Sequence, residues 1–270
     1  MSRFELVTTR GGSPAVRDQN TGEIMHPVGP VHEAEQLYVE PSRLAERLGE
    51  AESSPLVVYD VGLGAGSNAI AAFSTSEARS APGRRLELTS FDRTAAAMEL
   101  VLDSVHAEDF GLSGTVAAAA RAVLEHGRFE TAHTSWRLVL GELPATMDSE
   151  PAGKADIIYW DPFSPKSNPS LWTVAAFSSL RRACGDQATV HTYSAATSTR
   201  AAMLLAGFCV GFGASTGTKE HTTTAATNPG ALDAPLGSRW LDRLGRSSAP
   251  LPADAPANAL ERIRRAPQFS

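Results

Sequence analysis

The chain is poor in cysteine. Cys184 and Cys209 are the only two thiols in 270 residues and no C-x-x-C occurs. That excludes a disulfide framework and a cysteine-built zinc site. Lysine occurs three times, at Lys154, Lys166 and Lys219, against 22 glycines. No run of about 18 apolar residues appears, and the start Met1-Ser2-Arg3-Phe4-Glu5-Leu6 has no apolar signal core. These absences lead us to expect a soluble, cytoplasmic protein of a reducing compartment, without membrane contact. The seven histidines (His26, His32, His106, His126, His133, His191, His221) show neither H-E-x-x-H nor another metal-ligand spacing, so no metal is expected.

What is present is enough for a full core. Hydrophobic residues make up 42% and charged residues 20%, which excludes disorder throughout, and the length fits one α/β domain. The net charge of −6 is unevenly spread: residues 1–150 carry −10 and residues 151–270 carry +4. A polyanion would therefore be met by the C-terminal half, although an ordinary solvated surface fits the charge equally well.

The order of patterns points to alternating strands and helices. Gly11-Gly12-Ser13-Pro14 and Asn20-Thr21-Gly22 are turns between short extended pieces, and residues 31–48 look partly helical. Leu56–Asp60 is a continuous apolar run, as in a strand buried on both faces of a parallel sheet. Helix 67–73, strand 86–91, helix 94–106, strand 136–140 and strand 155–160 follow. Asn168-Pro169 reads as an N-cap with proline at the first helical position, opening a helix to Arg182 that Gly185 stops. Strand 188–193, helix 198–206 and strands 208–212 and 221–226 complete the series. We expect an N-terminal cap (1–50), an α/β domain (51–227) with a mostly parallel seven-stranded sheet and helices on both faces, and a Pro/Ala/Arg-rich tail (228–270) packing on it.

Asp60-Val61-Gly62-Leu63-Gly64-Ala65-Gly66-Ser67-Asn68 lies between the first of these strands and its helix. Glycines there allow a tight turn and close approach to a ligand, beside the unpaired N–H groups of a helix N-terminus. The dinucleotide fingerprint G-x-G-x-x-G would need glycine where Ser67 stands. G-x-G-x-G after an acid is instead the turn typical of S-adenosylmethionine-dependent methyltransferases, which makes that nucleoside the expected cofactor. Asp60, Gly62, Gly64, Gly66 and Asn68 are the candidate contacts. Asp92, at the end of the second strand, is placed to accept the ribose hydroxyls. Glu142, after the third, is placed for the adenine.

The most specific stretch is Asp161-Pro162-Phe163-Ser164-Pro165-Lys166-Ser167-Asn168-Pro169-Ser170-Leu171-Trp172. Pro162 biases Asp161 toward extended geometry, at the carboxyl end of a central strand where open α/β sheets bind ligands. Its D-x-F-x-P-x-x-N-P-x-x-W pattern resembles the methyltransferase domain of the bifunctional tRNA 5-methylaminomethyl-2-thiouridine biosynthesis proteins (MnmC) and their stand-alone relatives. The resemblance extends over roughly residues 30–225. It takes in the glycine turn, Glu35-Gln36-Leu37-Tyr38-Val39, Thr192-Tyr193-Ser194-Ala195, Arg200 and Ala206-Gly207-Phe208. Near the last turn, where the bifunctional proteins usually show Lys-Arg-Glu, this chain has Lys219-Glu220-His221. We expect their oxidoreductase half to be absent here.

The resemblance implies a Rossmann-like class I methyltransferase. It would transfer a methyl group from S-adenosylmethionine to the aminomethyl nitrogen of a tRNA wobble uridine, in the stand-alone form. Asp161 would be the catalytic carboxylate, also near the cofactor. Phe163 and Trp172 are candidates to stack on a base, and Lys166, Tyr193 and Lys219 to contact base or phosphate. Partners would be tRNA and a separate protein that generates the aminomethyl uridine. Methylation of another amine, a small molecule or polyamine, is an alternative, as is a non-catalytic cofactor-binding protein. Gly213-Ala214-Ser215-Thr216-Gly217 matches the hydrolase elbow G-x-S-x-G, but it leads into a Thr-rich β-like run rather than a helix, so a serine hydrolase is not expected.

Overall fold

The computed structural model describes residues 2–215, 221–249 and 251–269. It comprises two compact units, Met1–Glu142 and Leu143–Ser270. Among the described residues no helix is long and apolar enough to cross a membrane.

The first unit opens with a three-stranded antiparallel sheet of β1 (Phe4–Thr8), β2 (Pro14–Asp18) and β3 (Ile24–Met25). The Arg3 guanidinium closes it, donating to one Asp18 oxygen from Nε at 3.1 Å and from Nη2 at 2.7 Å. The stretch expected to be partly helical is α1 (Pro30–Ala34), a π-helical turn Glu35–Val39, and α2 (Leu44–Leu48). Ala34, Leu37, Tyr38, Leu44 and Leu48 are all buried, so the apolar face is real although the helix is broken. The break falls at Pro41, which has no N–H, and at Arg43, whose φ is +54°.

The α/β part of this unit runs β4 (Leu56–Val61), α3 (Ser67–Glu77), β5 (Leu86–Asp92), α4 (Ala96–Leu102), α5 (Gly114–His126), β6 (Arg128–Glu130) and β7 (Thr134–Leu140). All six β4 residues are buried, as the apolar run predicts. β5 lies between β4 and β7, parallel to both, and β6 joins β7 antiparallel. The helix expected over 94–106 ends at Leu102, and a 3₁₀ turn, Ala107–Phe110, follows.

The second unit contains α6 (Ala145–Asp148), β8 (Ala155–Trp160), α7 (Val174–Ala183), β9 (Cys184–Thr192), α8 (Thr197–Leu205), β10 (Cys209–Phe212), β11 (Thr223–Ala226), α9 (Ser238–Arg246) and α10 (Ala259–Arg264). β8 and β9 are parallel, and β11 and β10 follow antiparallel. Asn168-Pro169 opens only a 3₁₀ turn, Pro169–Trp172. The cap of α7 is Thr173, whose Oγ1 accepts the Ala176 N–H at 3.1 Å, helped by Asp254, which accepts the Val174 and Ala175 N–H groups. Gly185 stops nothing, because α7 passes directly into β9.

Gln268 pairs with both backbone groups of Val210, and the Phe212 N–H donates to Ala234, so the tail covers the free edge of β10. The architecture is the expected α/β fold with a mostly parallel sheet and helices around it. Among the described residues its α/β strands number eight rather than seven, the addition being the short β6.

Candidate functional site

The glycine turn lies in the first unit, between β4 and α3. Gly62, Gly64 and Gly66 all have left-handed φ, of 94°, 53° and 86°. The turn is stitched to the end of β5: the Gly62 and Leu63 N–H groups both donate to the Phe91 carbonyl, at 2.9 and 3.2 Å. Gly66 is the N-cap of α3, so no side chain caps that helix. The start of α3 is thus open to a ligand or solvent. Ser67 is 2% exposed, and its hydroxyl finds no hydrogen-bond partner among the described residues. A buried orphan hydroxyl beside an uncapped helix start suits a polar ligand at this turn.

Asp92 stands beside the turn. One carboxylate oxygen accepts the Gly64 N–H at 3.1 Å; the other accepts the N–H groups of Arg93 and Thr94, at 2.6 and 3.3 Å. Burial pushes its pKa up, against those hydrogen bonds and the charge of Arg3. Asp60 is fully buried in β4 and takes a different role. Its Oδ2 accepts the Ser90 hydroxyl at 2.8 Å, and Ser90 Oγ in turn accepts the Trp136 indole N–H at 3.1 Å, tying β4, β5 and β7 together below the turn. Asn68 is buried at the start of α3. Glu142 is exposed and ion-paired with Arg93 at 3.0 Å.

Two residues of the N-terminal sheet approach this site without any local mark in the sequence. Arg3 lies within electrostatic reach of Asp92. A Cβ on Gly64 would stand 3.2 Å from the Met25 sulfur, so Met25 packs directly on the turn. Both depend on how the N-terminal sheet docks, which no local pattern encodes.

The second unit holds the other candidates. Asp161 follows the last residue of β8 and is partly exposed. The loop after it is clamped by two rings. Tyr193 donates from its hydroxyl to the Pro162 carbonyl at 3.0 Å, and Trp172 from its indole N–H to the Phe163 carbonyl at 2.9 Å. The rings meet edge to face at 5.8 Å. Trp172 is 4% exposed and packs on Phe177, so the structure uses it as a brace for this loop rather than as an open stacking face. Phe163 is partly exposed and Lys166 exposed. Trp160 carries a second orphan, a buried indole N–H without a partner among the described residues.

Behind Tyr193 lies a buried polar network. Arg200, 4% exposed, donates to Thr223 Oγ1 at 2.9 Å and to the Thr222 carbonyl at 2.7 Å, and Thr223 Oγ1 donates to the Ser194 carbonyl at 2.6 Å. Lys219 lies outside the described residues, as do Thr216 and Gly217 of the elbow-like stretch. Ser215 follows β10 in irregular backbone.

Residues 115–228 match a family model described as S-adenosyl-L-methionine-dependent methyltransferase. The chain is 28% identical over 193 residues to the tRNA 5-methylaminomethyl-2-thiouridine biosynthesis bifunctional protein MnmC of Aeromonas hydrophila, a match covering 66% of this chain and 28% of that protein. Against the Paraburkholderia xenovorans protein of the same name it is 31% identical over 190 residues, covering 67% and 28%. The chain thus spans a little over a quarter of the length of these curated relatives. The crystal structure of MNMC2 from Aquifex aeolicus superposes with a TM-score of 0.75 at 25% identity, over 97% of this chain and 83% of that one.

Proposed function

We propose, for a chain that belongs by sequence and fold with the S-adenosyl-L-methionine-dependent methyltransferases, that it methylates the aminomethyl nitrogen of a 5-aminomethyl(-2-thio)uridine at the wobble position of tRNA. The reading rests on the likeness to MnmC and MNMC2. Within the molecule, the main support is the Asp161 loop, held in one shape by Tyr193 and Trp172.

The residues of the glycine turn fit the cofactor. Gly62, Gly64 and Gly66 let the backbone come close, the uncapped start of α3 and the Ser67 hydroxyl offer donors, and Asp92 offers a carboxylate to the ribose hydroxyls. When bound, S-adenosylmethionine supplies an electrophilic methyl group. Asp60 acts by bracing β4 against β5. Glu142, on the surface, contacts adenine only by leaving Arg93.

The nucleophile sets the chemical problem. A primary alkylammonium has a pKa near ~10, so about one molecule in 10³ is neutral at pH 7, and only that form has a lone pair. Asp161 holds the ammonium, takes its proton directly or through water, and keeps the freed lone pair aimed. Positioning of this kind supplies much of the barrier reduction, which makes the rigidity of the loop part of the mechanism. Phe163 and Lys166 flank the same loop and are the contacts we assign to uracil and to phosphate.

The test uses labelled S-adenosylmethionine and tRNA carrying 5-aminomethyluridine, digested to nucleosides afterwards. Label in 5-methylaminomethyluridine supports the reading. Label that survives nuclease treatment in a small amine overturns it in favour of another acceptor. Asp161→Asn should keep cofactor affinity within about twofold and lose methyl transfer by at least ~10²-fold; full activity in that variant removes Asp161 from the reaction.

A further inference from the structure

We propose that the outer face of α9 is where this protein holds the phosphate backbone of its RNA. The inference rests on the tRNA reading above and goes beyond it by assigning a surface.

α9 is strongly two-sided. Trp240 and Leu244, four residues apart, are 3% and 2% exposed, and the Trp240 ring stacks on Phe269 with centroids 6.3 Å apart and planes 2° from parallel. The helix is therefore fixed in place. Arg239, Arg243 and Arg246 recur at i, i+4 and i+7, the spacing that lines up one face, and all three are exposed or partly exposed. None makes an ion pair or hydrogen bond among the described residues. The exposed Arg85, Arg93, Arg121 and Arg265 each have a carboxylate within 3.5 Å, and the other exposed arginines unpaired among the described residues, Arg10, Arg128 and Arg264, do not share one helix face.

Nearby acids do not neutralise the stripe. Of the tail's four, Asp254 is engaged in capping α7 and Glu261 in pairing with Arg265. Asp233 and Asp242 are exposed but form no ion pair with the three arginines among the described residues, and with Asp242 counted α9 still carries a net charge of +2. Inward from the stripe, Arg243 lies within electrostatic reach of Arg200, whose partners are hydroxyl and carbonyl oxygens; burial and this second cation lower its pKa to about 10. Neither Arg200 nor Arg243 forms a salt bridge with a carboxylate among the described residues.

The stripe runs over ~10 Å of helix rise, too long for one small anion and suited to successive phosphates of a strand. Arginine contacts of this kind position a nucleic acid without reading its sequence. The Arg200 network reaches, through Thr223 and the Ser194 carbonyl, the residue next to Tyr193, which clamps the Asp161 loop.

The experiment compares the full chain with R239A/R243A/R246A, a change confined to side chains on the outer face, whose folding is checked by thermal melting. The expected result is at least a tenfold rise in Kd and KM for tRNA, with kcat and the S-adenosylhomocysteine Kd unchanged. The slope of log K against log salt should become shallower by about one per arginine removed. A wild-type enzyme that methylates tRNA beside a variant with unchanged Kd and salt slope overturns the inference and leaves the functional reading standing. Salt-sensitive tRNA binding that the variant loses, in a protein that methylates no tRNA, supports the surface and sinks the reading. Binding to anionic lipid vesicles but not to tRNA overturns the surface assignment.

Discussion

The Tyr193 hydroxyl donates a 3.0 Å hydrogen bond to the carbonyl of Pro162, the residue directly after Asp161. A side chain that resembles a substrate contact in the sequence therefore plays a mechanical part, because it fixes the backbone that carries the acid. Tyr193→Phe removes this bond and keeps the ring against Trp172. A neutral hydrogen bond contributes ~1 kcal/mol net, so the variant should fold, with a small fall in Tm. Displacements of about 1 Å can cost ~10²-fold in rate, so kcat should fall tenfold or more while cofactor Kd stays within about twofold. A wild-type kcat, measured at saturating tRNA, would mean that Trp172 alone holds the loop.

On the proposed assignment, Asp92 would connect pH to cofactor affinity. Burial raises its pKa above the ordinary carboxylate range, yet ribose hydroxyls held there would need the ionised form as acceptor. The affinity for S-adenosylhomocysteine should therefore weaken as pH falls, with a midpoint above the usual ~3.9. Stability of the free protein moves the other way. Because the folded pKa is the higher one, this group's contribution is full below the unfolded pKa and is lost as pH rises through the folded pKa. Calorimetric titrations of wild type and Asp92→Asn should show a pH-dependent Kd in the first and a weaker, flatter one in the second. Identical pH profiles would remove Asp92 from cofactor binding.

The two thiols should differ little from inert core atoms. Cys184 is buried at the start of β9, and desolvation pushes its pKa up to about 12. At pH 8 only ~10⁻⁴ of it is thiolate, the reactive form. Cys209 is partly buried, and its pKa is also raised. A thiol-specific chromophore at pH 8 should label the native protein far more slowly than model thiols and titrate two groups at once in denaturant. Fast native labelling would show that β9 or β10 opens locally.

The glycine turn and the Asp161 segment were legible because each confines its chemistry to consecutive residues with unusual backbone demands. The strands were legible for a similar reason: Leu56–Val61 and Ala155–Trp160 are short apolar runs. α5 was not, because Ala117–Ala120 gives a helix former without an amphipathic contrast, and it reads as bias in composition. Asn168-Pro169 misled because proline suits a 3₁₀ turn as well as an α-helix, while the helix opened by the true cap, Thr173, gains a second acceptor from Asp254, eighty residues away. Arg3, Met25 and the Trp172–Phe163 bond are likewise products of tertiary docking.

Gly66 separates backbone strain from site chemistry. Its φ is +86°, and an added Cβ would stand 3.1 Å from the Met98 sulfur and 3.2 Å from Ile70 Cδ1. Gly127, after α5, has a similar φ of +75° with nothing within 4 Å. Alanine at either position meets the left-handed penalty of ~1–2 kcal/mol. The thioether end of Met98 is pliable, which keeps the added steric cost at Gly66 modest. Both variants should therefore lose a few degrees of Tm, at ~2–4 °C per kcal/mol for a chain of this size. Only Gly66→Ala changes the start of α3, where the uncapped helix N-terminus and the Ser67 hydroxyl lie, so only it should weaken S-adenosylhomocysteine binding, by tenfold or more. Equal Kd values in the two variants, alongside equal losses of stability, would show that the turn's glycines serve folding and that the cofactor is held elsewhere.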